Sequence, residues 1–186
     1  MKSALGILAI AIGAGAAIIA ITSLLLGLRR GDDRLLAAGR RGITVVVIAS
    51  IAAVAVMEWA LVTHDFSIRY VAENNARSTP LLFTITGLWA ALEGSILLWL
   101  LVLTGFSAIA VFLQRRAHDL IAWVVPVLGL CGAFFAFLLV AVTSPFKTQV
   151  APVEGFGLNP SLQNPYMVAH PPALYLGYVG LAIPFA

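Results

Sequence analysis

Charge is scarce in this sequence. Only 10% of its 186 residues are Asp, Glu, Lys or Arg, against about 25% in an ordinary soluble domain. With 61% hydrophobic residues and a mean hydropathy of +1.02, the chain carries more apolar surface than a water-exposed fold hides. A chain so apolar does not stay solvated and disordered either. Cysteine is nearly missing: Cys131 stands alone, which excludes an internal disulfide and any multi-cysteine metal centre. No self-similarity recurs at a period of about 20 to 50 residues, which leaves a solenoid unsupported. There is no phosphate-binding glycine loop, no G-x-S-x-G elbow and no H-E-x-x-H pair, so hydrolytic and nucleotide-driven mechanisms have no support. The net charge of +3 is an orientation signal relative to a bilayer, with no nucleic acid implied.

What is present is a series of long apolar runs. A helix rises about 1.5 Å per residue, so about 20 apolar residues cross about 30 Å of hydrocarbon. Four stretches qualify: Ala4–Leu28, Gly42–Val62, a span within Gly87–Leu113, and Leu120–Thr143. A fifth begins near Ala173 and is still apolar at Ala186, reaching only about 21 Å as a helix. The fold class is all-α: a polytopic transmembrane helical bundle of about five spans, the fifth incomplete. Residues 1–186 read as the N-terminal part of a multi-span membrane domain, either a truncated sequence or the first piece of a split protein. The first run exceeds a signal-peptide core and ends in Leu28-Arg29-Arg30, the flank of a retained helix.

Basic residues orient the bundle. Arg29, Arg30, Arg34, Arg40 and Arg41 crowd the first loop, and Arg115 and Arg116 the third, whereas Lys2, Arg69, Arg77 and Lys147 are spread over the opposite side. Seven against four predicts cytoplasmic first and third loops. The N-terminus, His64–Thr79 and Ser144–Pro172 then lie outside. That last segment holds six of the nine prolines, together with Asn159, Gln163 and Asn164, so it is expected to be a shaped loop.

Three histidines invite different readings. His118, beside Arg115, Arg116 and Asp119, reads as a solvated interfacial residue, and His64 as a cap on the C-terminal end of the second helix. His170 precedes Pro171-Pro172, and proline at a first helical position starts a helix; His170 is thus expected at the N-terminal edge of the fifth span. Tyr166, Met167, Tyr175 and Tyr178 surround it. Neutral imidazole is a good axial ligand for haem iron, yet from these residues alone an interfacial histidine in an aromatic belt is the simpler reading. Glu58 and Glu93, toward the outer ends of their spans, read as polar glue between helices or as a functional pair. Gly13 and Ala17, and Ala173, Gly177 and Gly180, read as small residues that permit close helix packing. Arg69, Arg77 and Lys147 are candidate partners of carboxylates such as haem propionates, or headgroup anchors.

Two blocks carry a resemblance. Leu158-Asn159-Pro160-Ser161-Leu162-Gln163-Asn164-Pro165 is followed by His170-Pro171-Pro172-Ala173-Leu174-Tyr175-Leu176-Gly177-Tyr178-Val179-Gly180. Upstream stand Asp65-Phe66-Ser67, Tyr70-Val71-Ala72, Trp89 and Glu93-Gly94-Ser95-Ile96-Leu97-Leu98-Trp99. In order and spacing, these closely resemble the CcmF family, the cytochrome c haem lyase subunits, with NrfE as a close relative. The resemblance covers about Asp65 to Ala186. It departs from the family pattern at Leu92, where a polar residue is common, and at Phe83-Thr84, where Tyr followed by a basic residue is common.

The resemblance implies a cytochrome c maturation subunit of the bacterial cytoplasmic (inner) membrane, multi-pass, with its active face extracytoplasmic. By the same resemblance it is expected to hold haem there for covalent thioether attachment to apocytochrome c. It implies His170 as a haem iron axial ligand. The remaining ligands and a tryptophan-rich segment would lie beyond Ala186. Its partners would be apocytochrome c, a CcmE-like haem chaperone, CcmH-like maturation subunits and membrane lipid. The alternative from a different class is an ion- or proton-coupled transporter with Glu58 and Glu93 as the relay; a purely structural membrane subunit is a third.

Overall fold

The computed structural model describes residues 1–113 and 118–186, with backbone only over 118–123. Helix α1 (Lys2–Arg30) turns directly into α2 (Asp33–Val62). The turn is two residues long because each does a specific job. Gly31 takes the left-handed conformation (φ 61°) and bonds its N–H back to the Gly27 carbonyl, while the Asp32 carboxylate accepts the Arg34 N–H at 2.8 Å. That pairing of a glycine stop with an aspartate cap is how one helix ends and the next begins without a gap. Arg34, Arg40 and Arg41 therefore stand on α2 and not in a loop. The second helix starts at Asp33 rather than Gly42, since hydropathy marks the membrane-crossing part of a helix and not its cap. At 30 residues it is about 45 Å long, enough to carry its basic first turns clear of the hydrocarbon.

Two short helices, α3 (Arg69–Asn74) and α4 (Leu81–Thr86), and a 3₁₀ turn at Gly87–Trp89 lead into α5 (Leu92–Leu113). The span expected within Gly87–Leu113 is thus α5, which starts at Leu92. Helix α6 (His118–Phe137) contains Pro126 and runs on into a π-helical turn, Leu138–Val142. The basic loop residues Arg115 and Arg116 lie outside the described residues, as does the side chain of His118. After an irregular stretch of turns and bends come a 3₁₀ turn at Pro160–Leu162, then α7 (Pro165–Gly180) and α8 (Ala182–Phe185). α1 and α2 form a hairpin; α5 packs on α2, α6 on both α1 and α5, and α7 on α5. Among the described residues, α1, α2, α5 and the run Val124–Val142 are long and apolar enough to cross a membrane. Ile18, Ile19, Ile48 and Ile51 stand exposed along them, as residues facing lipid do.

The largest buried cluster among the described residues lies at one end of the bundle, where parts of residues 63–91 and 143–164 meet. Met57, Leu61, Ile68, Val71, Leu97, Leu139 and Phe146 are fully enclosed there. The proline-rich stretch is held against residues 66–76 by an antiparallel bridge between Ile68 and Thr148. Backbone bonds from Arg69 N–H to Lys147 O (2.9 Å), Gln149 N–H to Ser67 O (2.9 Å) and Phe156 N–H to Ala72 O (2.8 Å) extend it. Asn75 is the hub of this end. Its Nδ2 donates to Leu61 O (2.8 Å) and to His64 Nδ1 (3.2 Å), and its Oδ1 accepts from Ala76 N–H (2.9 Å). A buried amide with its donors and acceptor engaged rigidifies its surroundings.

Candidate functional site

α7 carries His170, and the helix begins earlier than the double proline suggests. Asn164 caps it, accepting the Tyr166 N–H on its Oδ1 at 3.0 Å, and Pro165 occupies the first helical position. His170 therefore lies inside α7, in its second turn, and Pro171 and Pro172 are interior prolines. The Asn-Pro pair satisfies the start of the helix better than His-Pro does, because asparagine accepts an orphan N–H and His170 has no such role to play.

Interior proline has a consequence. Pro171 has no N–H to give the carbonyl four residues back, that of Met167. The Trp89 indole Nε1–H donates to this oxygen, at 3.3 Å. One turn and a half below His170, Tyr175 Oη bonds Ser95 Oγ at 3.1 Å, and its ring meets Trp99 edge-on with centroids 5.4 Å apart. Trp99 in turn packs edge-on against Phe135 at 5.5 Å. Thus α7 is tied to the start of α5 on both sides of His170.

His170 itself is exposed, and its side chain makes no hydrogen bond or ion pair among the described residues. It borders an open groove with Pro165, Tyr166, Met167, Ala169 and Ala173. Tyr166 is 83% exposed. What this arrangement offers chemically is one uncommitted imidazole beside apolar and aromatic surface. His64 is the opposite case. It sits at the C-terminal end of α2 with φ 50°, bonds its N–H to Leu61 O at 3.0 Å and is held by Asn75.

The candidate propionate partners are mostly committed elsewhere. Arg69 pairs with Glu73 (2.7 Å), and that hydrogen bond and charge raise its pKa further. Arg77 donates to Val153 O (2.9 Å), pairs with Glu154 (3.8 Å) and lies over the Phe66 ring. Backbone N–H bonds from Arg77 and Gly155 hold the Glu154 carboxylate below its ordinary pKa. Lys147 is exposed, with no side-chain partner among the described residues. Among the described residues no hydrogen bond or ion pair links any of these three to α7.

Glu58 stands one turn from the end of α2 and Glu93 at the start of α5. Both lie near the buried Tyr70, whose phenol burial pushes above its usual pKa, with Glu93 and Glu58 adding to the rise. Neither is at the middle of a span. Glu58 Oε2 is enclosed without a hydrogen-bond partner among the described residues. Of the small residues, Gly13 does pack closely, with Ala49 Cβ 3.3 Å from where its own Cβ would be, but Gly177 faces open space. Thr84, one of the departures from the family pattern, is buried and its hydroxyl donates to Asn75 Oδ1 (3.4 Å) or Thr79 O (3.3 Å). The ties from Trp89 and Ser95 to α7 escaped sequence reasoning; the one available signal was Pro171, which marks the Met167 carbonyl as short of a donor. Among the described residues no cluster of three or more His, Cys, Asp or Glu could hold a metal ion.

Comparison with known proteins fits this geometry to a family. The family model for Cytochrome C assembly protein matches residues 89–186, the half of the chain that contains Trp89, Glu93-Gly94-Ser95 and His170. The chain is 37% identical to cytochrome c-type biogenesis protein CcmF of Escherichia coli (strain K12) over 163 residues, 86% of this chain and 25% of that protein. It is 41% identical to CycK of Rhizobium meliloti (strain 1021) over 184 residues, 98% of this chain and 27% of that protein. The solved structure of the Cytochrome c Heme Lyase CcmF superposes with a TM-score of 0.86 at 34% identity, covering all of this chain and 29% of that one. The chain therefore spans about a quarter of the length of these relatives. Matched over more than half its length by the family model and over all of it by the solved structure, the chain belongs to the cytochrome c assembly protein family and is of CcmF type.

Proposed function

We propose that this chain forms part of a cytochrome c haem lyase, a subunit of a synthetase complex in the bacterial cytoplasmic membrane. It presents haem on the extracytoplasmic face for covalent attachment to apocytochrome c. Haem is the substrate. Its vinyl groups take up cysteine S–H across their double bonds, so each thioether forms without a net change in oxidation state. The protein's share is binding and orientation. The observation that carries the reading is His170: exposed, without a partner, and flanked by Tyr166 and Met167 on a helix fastened on both sides. That donor set fits axial ligation of haem iron with the macrocycle against apolar surface. His170 acts as ligand and tuner and not as a general base. A CcmE-like haem donor and CcmH-like subunits are the partners that the resemblance suggests, and Lys147 is the cation most available to a propionate.

In the full-length protein, His170→Ala is expected to abolish covalent cytochrome c maturation while the protein still accumulates in the membrane. Added imidazole should restore part of it, because a free ligand can reach the iron. His64→Asn, which tolerates the left-handed backbone there, should mature cytochrome c normally. Undiminished holocytochrome c in the His170→Ala strain would reject the ligand role.

A further inference from the structure

We infer that Trp89 is a positioning residue for His170, acting through the carbonyl that Pro171 leaves without its helical donor. This rests on the reading of His170 as a haem ligand, which it deepens. Three observations converge. Pro171 directly follows His170 and removes the amide that would ordinarily bond Met167 O. The Trp89 indole N–H reaches that same oxygen at 3.3 Å. Trp89 is itself anchored: it closes the 3₁₀ turn Gly87–Trp89, and the next residue bonds back from Ala90 N–H to Gly87 O at 3.2 Å. Tyr70 Oη holds the same turn from below, bonding to Gly87 O (2.9 Å) or Leu88 O (2.8 Å).

The physical logic is a lock with a matching gap. In an unbroken helix, Met167 O would be satisfied internally, and a tryptophan nearby would gain little by bonding it. With proline at 171 the oxygen needs an external donor, so the turn that bears His170 gains one directional bond to the α4–α5 junction. The Tyr175–Ser95 bond fixes the next turns. Between these two ties the backbone that carries His170 is held in place, and fixing a ligand's point of attachment before the metal arrives strengthens binding by lowering the ordering cost.

The test is a double-mutant cycle in the purified full-length protein with Trp89→Phe, Pro171→Ala and both together. Two readouts are taken: haemin titration followed by Soret absorbance, and amide hydrogen exchange across residues 165–176 without haem. Trp89→Phe keeps the ring and removes the donor. It should weaken haem binding about fivefold and speed exchange in α7, the scale of losing one net hydrogen bond at an exposed position. Pro171→Ala restores the helical donor, so in the double variant the effect of Trp89→Phe should fall to within about twofold. An effect of Trp89→Phe that is the same with proline or alanine at 171 overturns the inference, as does parental behaviour of Trp89→Phe in both readouts. If exchange shows the coupling but His170→Ala binds haem like the parent, the lock stands and the ligand assignment fails. If His170→Ala loses haem while the cycle shows no coupling, the ligand stands and the lock fails.

Discussion

Single residues at the crowded end of the bundle set its tolerance to change. A Cβ on Gly94 would collide with Leu88 O and Tyr70 Oη and come within 2.7 Å of Tyr70 Cζ. Leu88 O is backbone and Tyr70 is buried, so neither yields easily. Gly94→Ala should therefore destabilise the protein by about 1–3 kcal/mol, the usual range for overpacking, seen as a lower Tm in detergent. An unchanged Tm would mean the junction shifts freely. Asp65 supplies a pH dependence. The Ser67 hydroxyl bonds its carboxylate at 2.5 Å and Lys2 Nζ lies 3.2 Å away, so its pKa falls below the ordinary value despite partial burial. A depressed folded-state pKa stabilises the fold above the unfolded value, about 3.9, and that stability is lost as the pH drops through the folded value. Asp65→Asn should flatten the acid side of a Tm-against-pH curve below about pH 4. A curve with the parental slope would place the acid sensitivity elsewhere.

At the scale of elements, α7 shows what the sequence makes legible. The apolar spans were readable because about 20 consecutive apolar residues have few soluble explanations. The block around His170 makes it the candidate ligand by resemblance, whereas its exposure and its lack of a side-chain partner among the described residues come only from the fold. Where α7 begins was misread, because two strong start signals stand six residues apart. Asn164-Pro165 and His170-Pro171 both look like a cap followed by proline, and only the first has a side chain that accepts an orphan amide. The loop–helix ties are long-range, joining residues 89 with 167 and 95 with 175, and no local pattern encodes them. The same holds for Asn75, a polar residue with no motif around it whose partners come from α2, α4 and the loop between. Removing the cap is a clean test of the boundary: Asn164→Ala should lower stability by about 1 kcal/mol and speed amide exchange at Tyr166 and Met167. If the helix began instead at Pro171, that substitution would leave both amides unchanged.

For the whole molecule the open question is which end faces outward, and charge decides the expectation. Around the α1–α2 turn stand Arg29, Arg30, Arg34, Arg40 and Arg41, with Asp32 and Asp33 as the neighbouring acids. At the other end are Lys2, Arg69, Arg77 and Lys147, and the first three are each paired with a carboxylate: Lys2 with Asp65, Arg69 with Glu73, Arg77 with Glu154. Lys2 is further held by Thr63 and by the face of Trp59, 4.9 Å from the ring centroid. Dense positive charge near short connections stays in the cytoplasm, and acidic residues contribute little to that rule. The α1–α2 turn is thus expected inside, and the end bearing His170 outside, as the proposed function requires. With Cys131 replaced by serine, single cysteines at Asp33 and Ser161 should respond differently to a membrane-impermeant thiol reagent in intact cells. Ser161→Cys should label at once and Asp33→Cys only after the membrane is breached. The opposite pattern would put His170 on the cytoplasmic face and remove the extracytoplasmic haem site with it.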